Sequence, residues 1–211
     1  SADLCALITR LSVGPAILVA HGIGTHAAIL AATTRPELVK ALVLVSSAPW
    51  FSGERDGVGG GISAEFLDFL RQRTALQGTR GIPYPQACAD LAEQWLFHKP
   101  QGPAIFHSVL EQALSWPQHV INTYASSMTG IDHRERLAHI RCPTLLLQGR
   151  HDRKQRYEGA LYMLRNIPGA RLVTLEDSAH MGQIEEVNRF NDELKQFVLS
   201  AYGEKAPAPH V

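Results

Sequence analysis

The chain has 211 residues, of which 45% are apolar and 19% charged, enough to bury the core of one globular domain. Twenty basic residues balance twenty acidic ones and no basic run stands out, which excludes nucleic acid and an anionic membrane surface as partners. No stretch reaches the roughly 18 to 20 apolar residues of a membrane span, and residues 1–4, without a positively charged or apolar region, are not expected to be a secretion signal. The three cysteines, Cys5, Cys88 and Cys142, are widely spaced and fit reduced, buried thiols in a cytoplasmic protein; no metal and no cofactor are expected.

In chain order, residues 3–11 put Leu4, Leu7, Ile8 and Leu11 on one helical face, ended by Val13-Gly14-Pro15. Ala16 to Ala20 is a continuous apolar run, the mark of a parallel strand covered on both faces, and it breaks at His21-Gly22-Ile23-Gly24 into a helix from about Thr25 to Thr34. Val39 to Val45 is a second buried strand. Strand, helix and strand in some thirty residues form a βαβ unit with parallel strands and a right-handed crossover.

Residues 51–63 hold five glycines and read as a mobile loop unable to pack a core. From Ser63 to about Arg136 the periodicity is helical and broken by prolines, which predicts three to five short helices and no strand. Thr144 to Gln148 and Arg171 to Leu175 are strands flanking a helix around Glu158 to Arg165. One helix over 184–201 closes the order, with Ile184, Val187, Phe190, Leu194, Phe197 and Val198 inward, and the tail from Gly203 to Val211 is expected to be disordered. The fold class is therefore α/β: a parallel sheet of about four strands with flanking helices and a helical lid inserted between its halves. Residues 1–50 and 141–202 supply the sheet, and residues 51–140 the lid.

A histidine acts as a general base near neutral pH when one ring nitrogen is free and a carboxylate holds the other. Asp152 and His180 both lie in loops just past the carboxyl ends of predicted parallel strands, the edge where α/β sheets build their sites. The plainer readings make Asp152 a helix cap and His180 a surface residue. His21 and His151 are read as packing groups beside the site rather than metal ligands. The histidines of the lid, His98, His107, His119, His133 and His139, are expected to face solvent or find local partners. Trp50, Phe51, Trp95, Phe97 and Trp116 are candidates to line an apolar pocket or to fill the core.

Ile17 to Gly24, Arg35 to Val45, Pro143 to Asp152, and Gly169 to His180 followed by Glu185 and Glu186 together resemble the α/β-hydrolase family from the nucleophile-elbow strand onward. A weaker likeness is to carboxylesterases of the pimeloyl-carrier-protein methyl ester type. The resemblance implies a partial α/β-hydrolase fold with the N-terminal half of the sheet absent, so that the first strand becomes an exposed apolar edge. An upstream segment or a second copy of the chain is expected to cover it.

The resemblance also assigns the acid to Asp152, the base to His180 and an oxyanion amide to Ile23; of the aromatic residues, Trp50 and Phe51 are expected to contact substrate. At the nucleophile position of the G-x-S-x-G elbow this chain has Gly22, which supplies no attacking atom. Thr25, Ser46 and Ser47 are weak substitutes. The expected function is hydrolysis of a small ester, thioester or related carbonyl compound, with water as the attacking group in place of an acyl-enzyme. The alternative is a catalytically inactive binding or scaffold protein.

Overall fold

Leu42 and Leu44 point to one side of their strand and Val43 and Val45 to the other, and all four are buried. Such a strand is stable only between two apolar layers. In the computed structural model, which describes residues 1–75, 84–115, 117, 127–128 and 130–203, both layers are present. Four parallel strands, β1 (Ala16–His21), β2 (Val39–Val45), β3 (Thr144–Gly149) and β4 (Arg171–Leu175), lie side by side in sequence order. One layer joins Leu42, Leu44 and Leu146 to Ile29, Leu137 and Met163; the other joins Val43, Val45, Leu145 and Leu147 to Phe190. Truncating one of these leucines to alanine typically costs about 2–5 kcal/mol.

The helices follow from the same two-sided demand. Helix α1 (Ala2–Leu11) and helix α2 (Gly24–Thr34) pack together on the first layer. Helix α2 buries Ala28, Ile29, Ala31 and Ala32, small residues that let it lie close to β1 and β2. In α1 the inward face is Leu4, Cys5 and Ile8, whereas Leu7 and Leu11 are exposed, a rotation from the face expected on leucine spacing alone. Strand β1 is an edge of the sheet, and its Val19 is 52% exposed.

Between β2 and β3 the described elements are helices: α3 (Ala64–Ala75), α4 (Tyr84–Leu91), a π-helical turn (Ala92–Leu96), α5 (Pro103–Leu114) and α6 (Arg134–Leu137). The glycine-rich stretch before them is packed, not loose. Phe51, Gly60, Gly61, Ile62 and Ser63 are buried, the Ile62 N–H donates to the Phe51 carbonyl at 2.8 Å, and the Ser63 N–H donates to the Lys154 carbonyl at 3.0 Å. Its backbone is paired with neighbouring loops, which glycine spacing does not reveal.

Helix α7 (Tyr157–Asn166) links β3 to β4, and the chain closes with α8 (Gly182–Glu185) and α9 (Val187–Ala201). The single helix expected over 184–201 is broken at Glu186, whose φ of −122° and ψ of 53° leave the helical region. The break also turns Val187 outward, 46% exposed. Residues 204–211, Trp116 and His119 lie outside the described residues.

Candidate active site

All four strands point the same way, so the loops after β1, β3 and β4 open on one edge of the sheet. The loop after β3 carries Asp152. Its Oδ1 accepts the backbone N–H groups of Lys154 and Gln155 at 3.0 and 2.9 Å, and its Oδ2 accepts Gln148 Nε2 at 3.2 Å. The loop after β4 brings His180 Nδ1 to that same Oδ2 at 2.9 Å. Both groups are buried. The carboxylate is thus fully hydrogen-bonded, and the histidine is held in one orientation. Burial acts to raise the Asp152 pKa, but the neighbouring imidazole, its hydrogen bond, the Gln155 N–H and Lys154 outweigh it and hold the carboxyl below its usual range.

The His180 loop is pinned from several directions. Its carbonyl accepts His21 Nε2 at 2.8 Å and Ser46 Oγ at 2.9 Å. Glu186 Oε2 accepts Ser178 Oγ at 2.6 Å and the Asp177 N–H at 3.0 Å, while Glu185 Oε2 accepts the Ala179 N–H at 2.7 Å. These bonds explain the break before α9: both carboxylates reach back to the loop, and a continuous helix would aim at most one of them there. The end of β3 lies so close that a Cβ on Gly149 would stand 2.0 Å from the Ala179 carbonyl oxygen.

The turn between β1 and α2 completes the group. Gly22 takes φ +55°, in the left-handed region, and a Cβ built on it would stand 3.3 Å from His180 Nε2. The structure therefore aims position 22 at Nε2 of the imidazole and puts no side chain there. The N–H of Ile23 follows at the start of α2, where no intrahelical acceptor exists.

The neighbouring hydroxyls are committed elsewhere. Thr25 Oγ1 donates to the Gly22 carbonyl at 2.6 Å, Ser46 Oγ to the His180 carbonyl, and Ser47 Oγ lies 3.8 Å from Met163 Sδ. His21 is held neutral: burial, then the nearby His180, lower its pKa to about 3. His151 stacks on His98 with ring centroids 3.6 Å apart.

Phe51 belongs to an apolar cluster with Phe66, Phe69 and Trp95, against which Ile23 packs. Trp50 is fully buried, edge-on to Tyr162, with its indole N–H donated to the Gly53 carbonyl at 2.8 Å. A cavity of about 640 Å³ opens beside Asp152; Trp95 and Phe97 line it, whereas Trp50, Phe51, Gly22 and His180 do not. His133, expected to face solvent or find a local partner, is instead buried beside His26, and its Nε2 has no hydrogen-bond partner among the described residues.

Sequence reasoning missed Lys154. Its Nζ lies 3.1 Å from His180 Nε2, the lone pair a general base would use. Burial, then the charge of Lys154, lower the His180 pKa, opposed by Asp152. The only signal in the sequence was a lysine two residues after the acid, a spacing that says nothing of side-chain direction.

The chain matches the model of the alpha/beta hydrolase family over residues 1–193. It is 29% identical over 202 residues to the AB hydrolase superfamily protein YisY of Bacillus subtilis, covering 92% of this chain and 70% of that protein. It is 26% identical over 202 residues to the 2-hydroxy-6-oxononadienedioate/2-hydroxy-6-oxononatrienedioate hydrolase of Burkholderia vietnamiensis, covering 92% and 66%. The chain thus spans about two thirds of the length of these relatives. The solved esterase EaEST from Exiguobacterium antarcticum matches with a TM-score of 0.83 at 24% identity, over 93% of this chain and 71% of that one, a likeness of fold.

Proposed function

The chain belongs to the alpha/beta hydrolase family, and we propose that it hydrolyses a small ester, thioester or related carbonyl compound without an acyl-enzyme. The observation that carries this reading is the 2.9 Å bond between His180 Nδ1 and Asp152 Oδ2 beside a turn whose vacant side-chain position faces His180 Nε2. In this mechanism His180 takes a proton from a water seated over Gly22, Asp152 holds the imidazole and stabilises it once charged, and the Ile23 N–H donates to the developing oxyanion. In this reading Phe51, in the apolar cluster against which Ile23 packs, borders the acyl side of the substrate. The segment 51–140 then acts as the lid.

Water is a poorer nucleophile than an activated serine, and one oxyanion donor is worth about 3–4 kcal/mol, so turnover is expected to be slow. The test is hydrolysis of p-nitrophenyl acetate by the unmodified chain and by His180→Ala. A drop of roughly a hundredfold or more is expected, in line with general-base catalysis; equal rates would exclude His180 as the base.

A second reading, a binding protein that keeps the fold without catalysis, is favoured by one observation: Lys154 Nζ is hydrogen-bonded to the lone pair that water activation needs. Under this reading the unmodified chain and His180→Ala both remain at the uncatalysed rate.

A further inference from the structure

Lys154 has no part in the chemistry just described, yet it is fixed at the centre of the site. Its N–H donates to Asp152 Oδ1 and its carbonyl accepts the Ser63 N–H at 3.0 Å, so both sides of its backbone are tied. Its side chain is partly buried, and Nζ lies 5.5 Å from the centre of the Phe66 ring and 3.1 Å from His180 Nε2. Among the described residues no carboxylate forms an ion pair with it. Asp152, the counter-charge in its loop, already accepts four hydrogen bonds.

Gly22 approaches the same imidazole nitrogen from the other loop. The amine and the vacant side-chain position of Gly22 therefore both face His180 Nε2 while lying more than 4 Å from each other. Burial works against the ammonium form, opposed by Asp152, and so eases the loss of its proton. Desolvation of this kind makes a lysine nucleophilic.

We propose that Lys154 is the nucleophile of this site, an amine that condenses with the carbonyl of a small aldehyde or ketone to form an imine, with His180 as its base and Asp152 holding His180. His180 Nε2 takes a proton from the Lys154 ammonium. The freed Nζ lone pair forms a bond to the carbonyl carbon as the C=O π pair moves to oxygen. A proton passes from nitrogen to that oxygen, giving the neutral carbinolamine. The protonated His180 then returns its proton to the hydroxyl, which leaves as water while the nitrogen lone pair closes the C=N bond. The net change is ammonium plus carbonyl to iminium plus water, with His180 restored.

The substrate class follows from the nucleophile. Attack by an amine on an ester would expel the alcohol and leave a stable amide, whereas an imine is reversible and draws electrons from the adjacent carbon. An aldehyde or ketone with an acidifiable neighbouring C–H is therefore the ligand this site fits. The assignment stands apart from ester hydrolysis: a chain that forms the imine and hydrolyses no ester keeps it.

The test is reductive trapping of the full chain at pH 7 with propanal and sodium cyanoborohydride, followed by peptide mapping of its five lysines. Lys154 is expected to gain the propyl adduct at least tenfold faster than Lys40, Lys99, Lys195 and Lys205. His180→Ala is expected to slow that labelling severalfold without changing the other four, and Lys154→Arg to abolish it. Mapping of the unmodified chain decides the matter even where a variant folds poorly. Lys154 labelling no faster than the other lysines overturns the proposal, and an unchanged Lys154 rate in His180→Ala overturns the role given to His180.

Discussion

Position 22 adopts φ +55°, a conformation that costs a residue with a Cβ about 1–2 kcal/mol relative to glycine. A Cβ there also meets His180 Nε2 at 3.3 Å, tight but tolerable after a small shift of the ring. Both Gly22→Ala and Gly22→Ser are therefore expected to lower stability by about 1–2 kcal/mol, measured by urea denaturation. The two part in chemistry. Serine alone places a hydroxyl within reach of His180 Nε2, where it competes with Lys154, and it is expected to give a burst with p-nitrophenyl acetate and an acyl adduct by intact mass. A burst in the alanine variant, or none in the serine variant, would show that the imidazole is not poised toward position 22. Asp152 and His180 were legible in the sequence because each follows a recognisable strand. Lys154 was not, because the direction of a side chain within a loop is set by what the neighbouring loops leave open.

At the scale of elements, the site depends on the loop after β4 resting on the end of β3. Gly149 permits that contact: the His151 N–H donates to the Ser178 carbonyl at 2.9 Å, the Arg150 N–H donates to the Leu175 carbonyl at 2.9 Å, and there is no room for a Cβ between the backbones. Gly149→Ala is expected to destabilise the fold by roughly 1–3 kcal/mol, the usual range for overpacking. It should also displace the His180 loop, lowering both His180-dependent hydrolysis and Lys154 labelling. A variant with unchanged thermal midpoint and unchanged labelling would mean that the loop does not bear on β3 as described. The strands were readable because runs such as Val39 to Val45 are apolar on both faces. The break at Glu186 was not, since the apolar spacing runs through it and only the acceptance of loop N–H and hydroxyl groups by Glu185 and Glu186 ends the helix.

At the scale of the molecule, the buried histidines set the response to acid. His26 has both ring nitrogens unpartnered among the described residues; burial, then the nearby His133, lower its pKa to about 4, and that of His21 falls to about 3. Well above pH 6.5 these rings are neutral in the folded and unfolded states alike and contribute nothing to the pH dependence. Below about 6.5 the unfolded chain takes up protons that the folded one refuses, so stability falls with pH at roughly 1.4 kcal/mol per unit for each such histidine. For His26 the loss levels off below about pH 4. The stability of the unmodified chain is expected to decline from pH 6.5 to 4, and His26→Leu to flatten that slope by about one histidine. An identical slope in the variant would remove His26 from the account. The sequence by itself determined the α/β class, the parallel strands and the loops bearing Asp152 and His180, because two-faced apolar runs and strand ends are local patterns of residue type. Only the tertiary structure decided that Gly22 faces His180, that Lys154 holds the imidazole lone pair, and that His26 and His133 share a buried site. Those relations join residues far apart in the chain, and they depend on which backbones can approach closely once the sheet has formed.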